Sequence, residues 1–353
     1  MKVTSALKCR ALCVGATAFM VSGCGGGMQP LSRVPGVMPQ GMTTAIHTTG
    51  HQLSWMLPEA RTIKQLLYVS VGSENDVYVY DYKTGKQVGL LTGFEKPEGQ
   101  CVDKVGDIWV TNFGNPPTSG YVVEYAHGGT TALSTLGVGG PSIGCSIDPT
   151  SGDLAVATAW GGNGAELLVF KSASGVPRVS TNPFCDSMNS PGYDDKGLLY
   201  VQGYGCTDGS GCGQHVCTLQ NGLMSMDVSL HSGGGMMWDG KYMTLADAFT
   251  KSRGRKSRWE TVIYQISQDA PNRLTEAGHT TFPRCFTSHG HNPTTGEQPF
   301  IVGTRNTPIN ERQGRVAVLG DDICGVTFDY WNYPAGGKPV QTLDVPSTGE
   351  SVS

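Results

Sequence analysis

The chain has 353 residues, of which 15% are charged, with 50 glycines and 20 prolines. That punctuation suits short strands joined by tight turns and excludes a protein built from long helices. A formal net charge of −4 and a pI near 6.1 give no overall reason to expect a nucleic-acid partner.

In chain order, residues 1–24 read as a targeting segment to be set apart from the fold. Lys2, Lys8 and Arg10 make a positive start, and Ala11 to Val21 make an apolar core too short to span a bilayer comfortably. The stretch Val21-Ser22-Gly23-Cys24 resembles the lipobox of bacterial lipoproteins, an aliphatic residue and two small residues before Cys. The resemblance implies that Cys24 is acylated and anchors the chain to a membrane. Glycines follow Cys24, which in a cell with two membranes implies the outer one. The alternative is an ordinary signal peptide cut at another small residue. No later run is apolar and long enough for a transmembrane helix. Residues 25–51 are rich in Gly, Pro and polar residues without periodicity, and read as a flexible tether.

From residue 52 onward short apolar strands recur: Leu66–Ser70, Asp107–Thr111, Asp153–Ala157, Leu198–Val201, Lys241–Leu245 and Pro299–Gly303. The spacing from Tyr68 to Trp109, and from Tyr200 to Tyr242, is about 40 residues, the period of a propeller blade. Turns opened by Asp or Asn and carrying Gly precede the last five: Asp103–Gly106, Asp148–Gly152, Asp194–Gly197, Asp239-Gly240 and Asn292–Gly296. Asp and Asn bond their own backbone there, and Gly supplies the positive φ. Each unit then reads as inner strand, turn, second strand, loop, aromatic third strand, Gly turn and outer strand. Tyr125-Ala126-His127-Gly128-Gly129 and Tyr333-Pro334-Ala335-Gly336-Gly337 are two such Gly turns.

The predicted fold is therefore all-β, a six-bladed β-propeller with four-stranded blades. Pro346–Val352 matches Pro141–Ile147 at Pro, Ser, Gly and Ser, so the C-terminal strand is expected to pair in blade 1 and close the ring. Residues 97–112 (PEGQCVDKVGDIWVTN) and 141–158 (PSIGCSIDPTSGDLAVAT) resemble the NHL-repeat and gluconolactonase-like six-bladed propellers, over roughly residues 52–353.

Apart from Cys9, Cys13 and Cys24, the cysteines are Cys101, Cys145, Cys185, Cys206, Cys212, Cys217, Cys285 and Cys324, an even number that suggests disulfides in an exported chain. Cys285 is expected to open the inner strand of blade 6 and Cys324 its third strand, so the two can meet. Two further bridges are expected among Cys185, Cys206, Cys212 and Cys217, a metal site in the 206–217 cluster being the alternative. Cys101 and Cys145, at different registers of neighbouring inner strands, read as buried free thiols.

His289 and His291 have metal-ligand spacing, against which His291 aligns with the core positions Val102, Ile147, Tyr193 and Trp238. Gly140–Gly144 matches a serine-hydrolase elbow, but within a repeated inner strand and so by coincidence. The basic residues Lys251, Arg253, Arg255, Lys256 and Arg258 fall in a second-to-third loop. They are either a contact for anionic lipid, polysaccharide or protein, or a solvated loop. Longer loops at 112–120, 158–165, 203–216 and 305–322 all belong to one propeller face, where recognition is expected.

Two functions follow. The first is a monomeric, lipid-anchored, extracytoplasmic protein that binds a protein or carbohydrate through that face and is not an enzyme. The second, implied by the resemblance, is a metal-dependent hydrolase or lyase holding Ca or Zn. Glu98, in Pro97-Glu98-Gly99, is the one residue that matches the ligand set of such enzymes.

Overall fold

The computed structural model describes residues 53–114, 120–159, 164–182, 185–207, 211–217, 225–226, 229–231, 234–253, 256–270, 273–286, 301–305, 315–321, 327–344 and 351–352. All of them lie in one compact unit, Ile46–Ser353. Among them the regular structure is β-strand, with two 3-10 turns at Pro58–Thr62 and Lys171–Ala173.

Among the described residues six sheets follow one another along the chain. The first is ordered Trp55–Met56, Gln87–Leu91, Asp76–Asp81, Leu66–Val71, Ser351–Val352. The second runs Pro97–Val102, Ile108–Asn112, Tyr121–Tyr125, Ala132–Gly137, and the third Ser142–Ile147, Leu154–Thr158, Leu167–Phe170, Arg178–Ser180. The fourth has Ser187–Tyr193, Leu199–Thr207 and Gly211–Cys217. The fifth has Met236–Trp238, Met243–Arg253, Lys256–Ala270 and Arg273–Phe286, with Ser225–Met226 added in parallel at its outer edge. The sixth has Ile301–Arg305, Arg315–Asp321, Thr327–Tyr333 and Gln341–Asp344.

The turn signals work as the sequence implies. The Oδ1 of Asp103 accepts the N–H groups of Val105, Gly106 and Asp107 at 2.9–3.0 Å, and Gly106 sits at φ 97°. Asp148, Asp194 and Asp239 make the same kind of turn. Such turns reverse the chain in a few residues and set the inner strand against the second.

Apolar residues of facing sheets fill each boundary. Leu66, Tyr68, Val77 and Val79 of the first sheet meet Ile108, Val110 and Val123 of the second. Trp109 and Val122 meet Leu154, Val156 and Phe170 of the third. The series continues between the third and fourth, fourth and fifth, and fifth and sixth sheets, the last through Phe282 and Trp331 with ring centroids 5.2 Å apart. Tyr82, in the turn after Asp76–Asp81, packs edge-on against Tyr330 of the sixth sheet with centroids 5.1 Å apart.

Polar ties between neighbouring sheets supplement this core. Gln100 Nε2 donates to Ser70 Oγ, and Thr111 Oγ1 to the Ile143 carbonyl. The Tyr193 and Met236 N–H groups donate to Ser146 and Ser190. The Tyr333 hydroxyl donates to Asp239 at 2.9 Å. The strand Ser351–Val352 pairs with Ser70 and Val69, as the repeat match predicted.

Five features differ from expectation. The basic run and the 203–216 stretch are paired ribbons instead of loops: Lys251 faces Arg258, and Tyr204 faces Gln214. In both, the ladder holds its register as far as Arg253 with Lys256 and Thr207 with Gly211, so pairing simply continues. Arg315–Asp321, expected in a loop, is a strand between Ile301–Arg305 and Thr327–Tyr333. Cys285 does not open a sixth inner strand. It lies in Arg273–Phe286, the outermost strand of the long fifth-sheet hairpin, because that hairpin stays paired as far as Arg258 and Phe286. The fourth sheet has three strands among the described residues, not four.

The cysteines also correct the sequence reading. Cys101 and Cys145 form a disulfide across the second and third sheets, with Cα atoms 5.6 Å apart. Counted from the turns, Val102 corresponds to Ile147, which puts the cysteines out of step. In space, however, Gly99 lies beside Ile143 and Gly144: a Cβ on Gly99 would meet the Gly144 Cα at 2.8 Å. That close approach, possible only without a side chain, brings Cys101 next to Cys145. Cys185 pairs with Cys217, Cα atoms 6.8 Å apart. Cys212 is also disulfide-bonded, and its cross-strand Cα partner is Cys206.

Candidate functional site: the loop-bearing face

Inner strands begin, and second strands end, on the face opposite the Asp turns. There the residue ending the second strand's core holds the segment leading into its own inner strand. Asn112, fully buried, accepts the Glu95 N–H at 3.0 Å. Asp247, equally buried, accepts the His231 N–H at 3.0 and 3.1 Å, and its Oδ2 lies 3.1 Å from His231 Nδ1. The two pairs are equivalent places in two blades. A buried carboxylate needs such donors, since desolvation is otherwise costly. The result is a rigid base under side chains that reach solvent; His231 is 57% exposed.

In the second sheet this base orders a mixed polar and aromatic group. Lys96 has φ 57° and Asn75 φ 62°, both in the left-handed region. The Lys96 N–H donates to Asn75 Oδ1 at 2.8 Å, which holds the conformation. The Lys96 ammonium lies 4.4 Å from the Phe113 ring centroid and 3.4 Å from Glu98 Oε1. Non-glycine residues held at positive φ cost of order 1–3 kcal/mol and tend to mark functional surfaces. The group offers a cation, an acceptor and a ring face, which suits hydrogen bonding and stacking with a ligand.

Glu98, the expected metal ligand, has the half-exposed Lys96 ammonium 3.4 Å from its Oε1. Ser142, in the elbow-like sequence, is fully buried and donates to the Asn112 and Tyr121 carbonyls at 2.6 and 3.1 Å, so it is structural. Lys251, Arg253, Lys256 and Arg258 fall in the fifth-sheet ribbon. Cys24, Arg255, His289, His291 and Cys324 lie outside the described residues.

Sequence reading missed a feature of the opposite face. Carboxylate oxygens of Asp103, Asp107 and Glu124 lie within 4.8 Å of one another. Asp103 and Glu124 border a cleft of about 260 Å³ lined also by Trp109, Asp148 and Ser172. Burial, then the charges of Asp107 and Asp103, push the Glu124 carboxyl above its ordinary value. The signal was present as two turn acids four residues apart, with Glu124 opposite Trp109 one strand further out.

The sequence matches no protein-family model and none of the curated protein sequences. Solved structures do resemble the chain. One is a chain of the nidogen/laminin complex, at 11% identity and a TM-score of 0.51, covering 81% of this chain and 96% of that one. The β-propeller domain of Myceliophthora thermophila Cps50 (Swd1) gives 10% identity and 0.47 over 84% and 87%. Kuenenia stuttgartiensis hydrazine synthase gives 16% and 0.49 over 80% and 79%. The successive antiparallel sheets and the first of these likenesses identify a β-propeller.

Proposed function

We propose that the chain is a six-bladed propeller closed through Ser351–Val352, held outside the cytoplasm by lipid on Cys24. In this reading it is a monomer that binds a protein or carbohydrate ligand through its loop-bearing face. The observation that carries the binding face is the ordered Asn75–Lys96–Phe113–Glu98 group, built at a backbone cost that folding alone does not require. Closure is supported by the Tyr82–Tyr330 contact and by the pairing of Val352 with Val69. Export is supported by the lipobox-like sequence and by disulfides, which persist in oxidising compartments.

The test places a photo-crosslinking amino acid at Lys96 on one face or at Lys196 on the other, in cells. Adducts are expected from position 96 and not from position 196. Adducts from 196 alone, or equally from both, refute the face assignment.

A further inference from the structure

The fifth sheet carries an arm. In the second and third sheets the second strand ends at Asn112 and Thr158. In the fifth, pairing continues past the equivalent Asp247 to Arg253 and returns from Lys256. At about 3.3 Å per residue the extra ribbon is roughly 20 Å long. Its register sets Lys251 opposite Arg258, Ser252 opposite Ser257 and Arg253 opposite Lys256. Alternate residues and direct cross-strand partners share a face. Lys251, Arg253, Lys256 and Arg258 therefore fall on one face and the two serines on the other. Phe249 and Glu260, also opposite each other, follow on the basic face nearer the body.

Like charges directly opposite each other destabilise a ribbon. Two such pairs in succession are not what folding selects, so their placement calls for a partner. The chain as a whole is acidic, so the basic residues act only where they are gathered. We propose that this face of the arm docks on an anionic lipid surface. A row of four cations matches a plane of negative headgroups, and an aromatic residue beside it suits the membrane interface. This contact is separate from the loop-face ligand and from the lipid on Cys24.

The experiment uses the full chain carrying Cys24→Ser, so that an acyl anchor plays no part. Its co-sedimentation is measured with vesicles of phosphatidylcholine alone and with vesicles of two parts phosphatidylcholine to one part phosphatidylglycerol. Binding is expected only to the anionic vesicles, and it weakens with salt. Each basic residue near such a surface is worth about fivefold, so Lys251→Ser/Arg253→Ser/Lys256→Ser/Arg258→Ser should lose roughly several hundredfold in affinity. Arg253→Lys/Arg258→Lys should keep it. Should the fourfold variant fail to fold, the single Arg253→Glu variant, expected to bind more weakly, is compared with Arg253→Lys. Undiminished binding by the charge-removing variants, equal binding to neutral vesicles, or tighter binding to duplex DNA or to a sulfated polysaccharide at the same salt overturns the proposal.

Discussion

Asp239 joins a local turn to a long-range contact. Its Oδ1 takes the turn N–H groups of Lys241 and Tyr242, and its Oδ2 takes Gln265 and the Tyr333 hydroxyl. Burial alone raises its carboxyl, but those donors outweigh burial and hold it below its ordinary value. A depressed folded value means stabilisation present above the unfolded value of about 3.9 and lost as pH falls through the folded one. Asp239→Asn is expected to cost about 1–3 kcal/mol at neutral pH. It should also flatten the acid limb of stability below about pH 4, read by thermal unfolding across pH. Glu124 has the opposite sign. Its raised carboxyl makes ionisation unfavourable in the folded state, so the wild type loses stability as pH rises through the folded value. Glu124→Gln is expected to melt higher than wild type at neutral pH and to lose that advantage below about pH 4, where Glu124 is protonated in both states.

At the scale of elements, the strand Ser351–Val352 supplies the pairing edge of Leu66–Val71, whose residues are all buried. Deleting residues 346–353 is expected to destabilise the whole domain by several kcal/mol, out of the roughly 5–15 typical of a domain, and to expose that edge to aggregation. Thermal unfolding and solubility of the truncated chain measure this; an unchanged melting temperature would show that the fold does not depend on this pairing. This strand was legible in the sequence because a repeat announces itself by matching its copies, as the Asp turns do by local chemistry. The Cys101–Cys145 bridge was not, because position between blades follows backbone approach at Gly99, which strand order does not encode. The fifth-sheet arm was illegible for a different reason: its alternation is of charge and Ser, not of apolar and polar residues, and so reads as loop. The Lys96 group escaped because positive φ at Asn75 and Lys96 leaves no glycine to mark it.

At the scale of the molecule, the two faces differ in kind: one has short Asp turns, the other Lys96, His231 and the arm. The proposed anchor at the lipobox-like segment bears on how the second face is presented. Cys24→Ser is expected to move the protein from the membrane fraction to the soluble one and to abolish fatty-acid labelling, checked by fractionation and metabolic labelling. Retention of label in the variant would remove the anchor from this account. The disulfides bear on how such a molecule matures. Cys185 and Cys217 enclose Cys206 and Cys212 along the chain. An oxidant that joins thiols in order of emergence would make Cys101–Cys145 correctly, then trap Cys185 with Cys206 and Cys212 with Cys217. Reaching Cys185–Cys217 from there requires exchange, so the reduced chain is expected to refold in higher yield with a disulfide-shuffling catalyst than with an oxidant alone.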